Sequence, residues 1–298
     1  MTYNVAVIGL GSMGFGIAQS CLRAGFSVTG FDVVPAQVEK LIAQGGKAGQ
    51  ITEVGQTMDA VIAVVLNAEQ VESVLFGADG IVPHLREGTV VMACATVPPG
   101  FATEMERRCD LTGIHYLDAP ISGGSVKAAE GALGVMASGS AQAFAAAGPV
   151  LDATAETVFR LGSKAGAGSA MKAVNQLLAG VHIATMAEAL TFAMTQGISP
   201  GTFVDVITKC AGNSWMLENR APHVVTGDYT PRSQVNIWPK DLGIVLEAAE
   251  ATGFEAPITA VALGQFERAV AMGLGREDDA AVTRVYAKAA GLTLPGSE

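Results

Sequence analysis

The sequence predicts an α/β fold: an N-terminal Rossmann domain with a doubly wound sheet over residues 1–162, a long interdomain helix over 163–197, and an all-α C-terminal domain over 198–298. Three features predict it. A valine-rich apolar run feeds into Gly9-Leu10-Gly11-Ser12-Met13-Gly14, strand-like and helix-like segments then alternate to residue 162, and no strand pattern recurs afterwards.

Asn4–Ile8 suits a central parallel strand, and helical spacing at Ile17, Ala18, Cys21 and Leu22 follows the glycines. Ser27–Phe31 is the next strand and ends at Asp32. Strand, GxGxxG, helix, strand and acid in this order form a dinucleotide-binding fingerprint. Gly9 permits the tight turn, Gly11 lets the backbone approach a pyrophosphate, and Gly14 lets helix pack on strand. Leu10, Ser12 and Met13 complete the loop, where free N–H groups at the helix start meet the phosphates. The Asp32 carboxylate can accept from ribose hydroxyls and would repel a 2′-phosphate. Val33-Val34-Pro35 supplies no arginine to clamp such a phosphate, so NAD is favoured over NADP.

Bulk properties narrow the class. With 298 residues, half of them hydrophobic, 15% charged and 36 glycines, the chain has the profile of a compact two-domain α/β enzyme. A formal charge of -10 argues against nucleic acid or an anionic membrane as partner, and an anionic substrate must be drawn in by local groups. The start, MTYNVAVIGLG, lacks a basic segment and enters a strand pattern at once, so no signal peptide is expected and the location is cytoplasmic. The uncharged run from Gly131 to Leu151 is broken by glycines, serines and Pro149, which argues against a membrane span. Four scattered cysteines read as reduced thiols, and neither they nor the four histidines have metal-ligand spacing.

Further units repeat the pattern. Ala60–Leu66 is an apolar strand ending at Asn67, and Thr89–Ala93 is another that leads to Thr96 and a proline pair. Strand ends on this edge face the ligand crevice, which places Leu66, Asn67 and Thr96 at the cofactor; Thr96 can equally be only a turn former. The strand His115–Leu117 leads into Asp118-Ala-Pro-Ile-Ser-Gly-Gly-Ser-Val126. Ser122-Gly123-Gly124 offers a hydroxyl and consecutive backbone N–H groups, either a carboxylate-binding nest or an ordinary glycine turn. Gly131–Ala137 and Thr157–Leu161 close the sheet.

Ser163–Gly197 reads as one nearly apolar helix, a spine buried between two halves of the molecule, with Gly197 ending it. Lys172 is out of place there, because a buried ammonium costs free energy unless something uses it. Asn175 and Gln176 share its face at i+3 and i+4. The alternative is a lysine snorkelling out at the helix start. The small residues Ala179, Gly180, Ala184 and Ala187 would let another helix approach, as in a homo-oligomer. Beyond lie helices over Thr202–Ala211, Met216–Val225, Pro239–Gly253, Ile258–Met272 and Asp278–Ala290. Asn213-Ser214-Trp215, between two of them, either lines a polyol pocket or is a helix cap followed by a core tryptophan. Lys240-Asp241 opens a helix after Pro239, with Asp241 suited to a dipole or capping role.

Four segments together, GLGSMG (9–14), DAPISGGSVKAAEGALGVMASG (118–139), GAGSAMKAVNQ (166–176) and KDL (240–242), resemble the β-hydroxyacid dehydrogenase family, which includes 3-hydroxyisobutyrate dehydrogenase and tartronate semialdehyde reductase. The likeness covers essentially the whole chain. AGNSWMLENR (211–220), GDYTPRS (227–233) and GREDDAAV (275–282) are most similar to members that oxidise the 2-hydroxyl of L-threonate, a four-carbon sugar acid, with NAD. The resemblance implies Lys172 as catalytic acid/base, Ser122, Gly123 and Gly124 as substrate binders, and Asn175 near the substrate. It also implies Thr96 and Lys240 at the cofactor, and a homodimer or homotetramer. Three places depart from the family pattern: Ala93-Cys94-Ala95 stands where many relatives have an acidic residue shortly before the Thr96 position, Asn175-Gln176 replaces a common Asn-Asn pair, and Ala280 replaces a common serine.

Oxidising an alcohol with NAD sends a hydride to the nicotinamide and a proton to a base. That base must be neutral near pH 7, whereas a free lysine titrates at about 10.4. Burial beside a positive ring lowers that value on both counts. Asn175 and Gln176 can hold the amine or the substrate hydroxyls without adding charge, and the 122–124 turn would fix the carboxylate. Other readings keep the scaffold and give it a different activity. These are oxidation of 3-hydroxyisobutyrate or glycerate, reduction of a semialdehyde, imine reduction, or NAD binding without catalysis.

Overall fold

The valine-rich run at the start is strand β1 (Asn4–Ile8), flanked in the sheet by two parallel neighbours, with its inner residues buried. The computed structural model describes residues 2–296. Next come α1 (Ser12–Arg23), β2 (Ser27–Phe31), α2 (Pro35–Ile42), the single turn α3 (Ile51–Val54) and β3 (Ala60–Ala63). α4 (Ala68–Phe76), β4 (Val90–Ala93), α5 (Pro99–Asp110) and β5 (His115–Asp118) continue the alternation. These strands pair in parallel in the order β2-β1-β3-β4-β5. β3 and β4 are buried throughout, as expected of strands covered on both faces.

The sheet then becomes mixed. β6 (Ile121–Ser122), α6 (Gly124–Glu130), β7 (Leu133–Ser138), α7 (Ala141–Thr154) and β8 (Ala155–Gly162) complete it. β7 runs antiparallel to β5 and β6 and parallel to β8. Some expected strand boundaries shift. β3 stops at Ala63 rather than Leu66, and β7 begins at Leu133 because Gly131, at φ +76°, closes α6.

The backbone divides into two compact units, Met1–Lys172 and Ala173–Glu298, and the division falls inside α8 (Ala167–Thr195). α8 starts at Ala167 rather than Ser163, because Gly166 takes φ +111°. Its first turn is capped from the sheet. Asp118 Oδ2 accepts from Gly166 N (2.9 Å) and Ser169 N (2.8 Å), and Asp118 Oδ1 accepts from Ser169 Oγ (2.7 Å). Ser138 Oγ accepts from Gly168 N (2.9 Å) and donates to Asp118 Oδ2 (3.1 Å), while Glu106 Oε1 accepts from Ala165 N (3.0 Å). A helix start leaves such N–H groups without intrahelical partners, and here the buried Asp118, the half-buried Glu106 and a hydroxyl take them.

The second unit is helical, with α9 (Pro200–Ile207), α10 (Trp215–Thr226), α11 (Ile237–Ala251), α12 (Pro257–Ala271) and α13 (Thr283–Ala289). α9 ends at Ile207 rather than Ala211. The expected last helix divides into a 3₁₀ turn over Asp279–Val282 and α13. α11 begins before Pro239, which falls among the first residues, where a helix needs no N–H. Trp238 stacks on Phe266 (centroids 5.5 Å apart), and its Nε1 donates to Asp279 Oδ2 at 3.0 Å. The fully buried Asp278 and Asp279 also hold His223 Nδ1 (2.8 Å) and Arg220 Nε (2.5 Å), which accounts for the acidic pair in GREDDAAV.

α8 departs from expectation in two ways. It is not buried all round: Leu178 is 50% and Phe192 65% exposed. Its small residues also serve the chain itself rather than a second copy. Ala184 and Ala187 lie in the second unit's core, and a Cβ on Gly180 would stand 2.8 Å from Leu242 Cδ2 and 2.9 Å from Trp238 Cε3. Among the described residues α8 alone is long and apolar enough to cross a membrane by length and composition. Its buried Ile183, Met186 and Leu190 belong to the same core.

Asp118 is the residue on which the start of α8 depends. Asp118→Ala leaves buried donors on Gly166 and Ser169 unmatched and should lower the unfolding free energy by about 3 kcal/mol in a urea titration. Burial, partly offset by these hydrogen bonds, raises the Asp118 carboxyl above its ordinary value of 3.8. In the interval above 3.8 the folded chain therefore binds more protons than the unfolded chain, and its stability falls as pH rises. The gap between parent and variant should accordingly narrow from the acid side upward, until the raised folded value is passed.

Candidate active site

The glycine loop between β1 and α1 is shaped by contacts that only glycine permits. Gly9 sits at φ +88°, and a Cβ there would collide with the Val64 carbonyl. A Cβ on Gly14 would overlap the Gly9 carbonyl oxygen, whereas one on Gly11 would meet nothing, so the space before Gly11 is open. The first α1 hydrogen bond runs from Phe15 N to Gly11 O (2.8 Å). The amides of Ser12, Met13 and Gly14 thus precede the ladder at the positive end of the helix. A cleft of about 580 Å³ opens beside Gly11 and Ser12, bordered by Gln19 on α1, Lys40 on α2 and Val126 on α6. These features fit a dinucleotide pyrophosphate. Leu10 differs from its loop neighbours because its side chain is fully buried in the core, leaving only its backbone to the loop.

Asp32 does more than end β2. Its Oδ2 accepts from Leu10 N at 2.6 Å and its Oδ1 from Val34 N at 2.8 Å, so the carboxylate ties the glycine loop to the turn after β2. Asn67 caps α4, its Oδ1 accepting from Gln70 N (2.8 Å) while Leu66 N donates to Gln70 Oε1 (2.8 Å). The Leu66 side chain is exposed. Thr96 lies in the loop between β4 and α5 and is partly buried.

The 122–124 turn follows β6, with Gly123 at φ +135° and Gly124 at φ +78°, conformations that L side chains rarely adopt. Nothing would obstruct a Cβ on Gly124, so space is open before it. Lys172, 8% exposed, is anchored at this turn: its Nζ donates to Ile121 O at 2.9 Å. The snorkelling reading is thereby removed. β6 and the start of α8 bring the amine within one residue of Ser122.

In the second unit the polar residues that follow Lys172 form a chain. Asn175 Nδ2 donates to Gln176 Oε1 at 2.9 Å, and Gln176 Nε2 donates to Asp241 Oδ2. Asp241 Oδ1 lies 2.6 Å from Lys240 Nζ. Asp241 is thus a buried partner of Gln176 and Lys240 rather than a helix cap.

Asn213 and Ser214 are placed differently. Ser214 Oγ caps α10 by accepting from Leu217 N (3.1 Å), and Asn213 Nδ2 donates to Thr208 O and Glu218 Oε1. Both line a cleft of about 330 Å³ with His182 and Thr185. His182 lies ten residues beyond Lys172, about 15 Å along the axis of α8. Trp215 is 63% exposed and is not a core tryptophan; that role belongs to Trp238. The sequence reading missed Asp118, the Ile121 carbonyl and the bridging role of Asp241. An acid closing an apolar strand, the signal used for Asp32, would have singled out Asp118.

Comparisons with known proteins agree with this geometry. Residues 4–162 match the family described as the NAD binding domain of 6-phosphogluconate dehydrogenase, and residues 166–286 match the NAD-binding region of NADP-dependent 3-hydroxyisobutyrate dehydrogenase. An L-threonate dehydrogenase from Cupriavidus necator is 48% identical, over 99% of both chains. A 2-(hydroxymethyl)glutarate dehydrogenase from Eubacterium barkeri is 35% identical, over 99% of this chain and 98% of its own. The crystal structure of a 3-hydroxyisobutyrate dehydrogenase from Salmonella typhimurium superposes with a TM-score of 0.90 at 47% identity, covering 95% of this chain and 99% of that one. With a glycine loop made for a dinucleotide and matches that run nearly end to end, the chain belongs to the β-hydroxyacid dehydrogenase family of NAD-dependent oxidoreductases.

Proposed function

We propose that the protein oxidises the 2-hydroxyl of L-threonate to 2-dehydro-L-erythronate, with NAD as hydride acceptor and Lys172 as the acid/base. One observation carries the catalytic assignment: the Lys172 amine, on α8, is held 2.9 Å from the Ile121 carbonyl, beside the Ser122-Gly123-Gly124 turn. The choice of L-threonate rests on relatives of that name at 45–48% identity over nearly the whole chain. The chemistry supplied by NAD is acceptance of the hydride from the carbinol carbon.

The protein's residues divide the rest. Asp32 offers its remaining lone pairs to the adenosine ribose, the amides before Phe15 meet the pyrophosphate, and Leu66, Asn67, Thr96 and Lys240 complete the cofactor contacts. Ser122 and the backbone of Gly123 and Gly124 bind the substrate carboxylate through neutral donors, which fixes the carbinol relative to the lysine. Lys172 Nζ takes the hydroxyl proton as the C–H hydride departs, and returns it to the oxygen in the reverse direction. Asn175, three residues on, contributes to the hydroxyls of the substrate. The exposed Leu178, Phe192 and Phe254 suit burial against further copies in a homodimer or homotetramer, which light scattering would read.

A panel of L-threonate, D-threonate, the erythronates, glycerate and 3-hydroxyisobutyrate, followed by NADH formation, tests this function. L-Threonate should give the highest kcat/KM. A clear preference for 3-hydroxyisobutyrate, the substrate named for the Salmonella structure, would replace it. Lys172→Ala should lower kcat by about 10²–10⁴ while NADH affinity, read by fluorescence, stays within about twofold of the parent. Near-normal turnover would remove the lysine from the mechanism. Asp32→Ala should erode the preference for NAD over NADP, measured as the ratio of the two kcat/KM values; a parent that uses both equally would refute the reading of Asp32.

A further inference from the structure

Ser169 is fully buried and stands one turn before Lys172 on α8, and the two share a face at i and i+3. Its amide donates to Asp118 Oδ2 at 2.8 Å, a bond that any residue in a capped first turn could make. Its hydroxyl adds a second bond, to Asp118 Oδ1 at 2.7 Å, and that one needs the side chain. Oδ2 already takes Gly166 N, Ser169 N and Ser138 Oγ, so the hydroxyl serves the other oxygen.

Two successive positions on one helix face are thus tied to one short segment of chain, Ser169 to Asp118 and Lys172 to the Ile121 carbonyl. The fit leaves no slack. A Cβ on Gly168 would overlap the Met136 carbonyl oxygen and stand 2.9 Å from that of Asp118, and Gly168 N is held by Ser138 Oγ at 2.9 Å. Bonds from the backbone lie near the helix axis and fix the depth of the first turn. The Ser169 hydroxyl lies farther from the axis and resists rotation about it. Over a single turn a helix moves as one body, so a rotation at residue 169 carries the root of Lys172 through the same angle.

We propose that Ser169, held by Asp118, is a positioning residue for Lys172: the pair sets the rotation of α8 that keeps the lysine amine on the Ile121 carbonyl, beside the 122–124 turn. The action is one of geometry and does not need the charge of Asp118. An asparagine at 118 could keep its carbonyl oxygen toward the Gly166 and Ser169 amides and donate from Nδ2 to the Ser169 hydroxyl, which can accept as well as donate. The proposal rests on the function proposed above, which gives Lys172 the proton transfer, and adds a side chain that acts through the lysine without touching substrate.

The test compares Ser169→Ala, Asp118→Asn, Lys172→Ala and the Ser169→Ala/Lys172→Ala double variant on the acid that the parent turns over fastest. Each is measured in H₂O and in D₂O, with thermal unfolding to verify that it is folded. Ser169→Ala should lower kcat about 10- to 100-fold, while KM for the acid and NADH affinity stay within about twofold of the parent. Its ratio of kcat in H₂O to kcat in D₂O should rise, because transfer to a displaced amine becomes the slow step; a simple loss of folded protein would leave that ratio unchanged. Asp118→Asn should stay within about threefold of the parent in kcat, with the parent ratio. The double variant should lose no more than Lys172→Ala alone. Parental kcat in Ser169→Ala, a loss without a rise in the ratio, an equal loss in Asp118→Asn, or additive losses would overturn the proposal and leave the role of Lys172 standing. Near-normal turnover in Lys172→Ala would overturn both, and it is read on a separate variant. Should Ser169→Ala fail to fold, Ser169→Cys, whose thiol is a weak donor, replaces it with the same expected pattern.

Discussion

A buried carboxylate at the end of β5 holds the start of α8 in place. Asp118 receives four hydrogen bonds, from Gly166 N, Ser169 N, Ser169 Oγ and Ser138 Oγ, and three of those donors belong to the residues that start α8. Removing a charge from water is costly, and only a full set of donors makes it tolerable. The cost is met here because a helix N-terminus presents unpaired amides that need acceptors in any case. Three residues after the last of those donors comes Lys172, and three residues after Asp118 comes the carbonyl that receives the Lys172 amine. The same short segment of β5 and β6 therefore fixes both the helix and the end of its lysine.

Asp32 repeats the device at the other functional strand end. It binds Leu10 N and Val34 N, which stiffens the glycine loop, yet each oxygen retains a further lone pair. A carboxylate used in this way shapes the loop and remains an acceptor for a ribose. In both cases an acid closes an apolar parallel strand, where the backbone of the following loop needs an organiser. The two differ in exposure: Asp118 is sealed in and structural, whereas Asp32 keeps access to the loop it braces.

Most of the architecture was legible because its signals are local. GxGxxG followed by Asp32, the alternation up to Gly162 and the loss of strand patterning afterwards depend on neighbours within a turn or a strand. Lys172 was legible as an anomaly, a charge in an apolar helix. What escaped depends on contacts distant in sequence. Nothing near Gly180 tells whether its missing side chain admits a helix of the same chain or of another; α11, more than fifty residues later, decides it. Asn213 and Ser214 have the residue types of a polyol site, and the same types cap helices; here Ser214 caps α10 while both residues line a cleft. The antiparallel β7 was invisible for a related reason, since apolar alternation does not record strand direction.

The division of the chain inside α8 separates two sets of polar residues. The glycine loop, Asp32, the 122–124 turn and Lys172 all lie in residues 1–172, whereas Asn175, Gln176, Lys240 and Asp241 lie in 173–298. Along the continuous helix, Lys172 and Asn175 are separated by a rise of about 4.5 Å and nearly one full turn. Asp118 caps the start of α8 within the first unit, and Gln176 is tied to Asp241 within the second. This long, apolar helix thus carries residues 172, 175 and 176 within a little more than one turn, and each is bonded inside its own unit: Lys172 to the Ile121 carbonyl, Asn175 to Gln176, and Gln176 to Asp241.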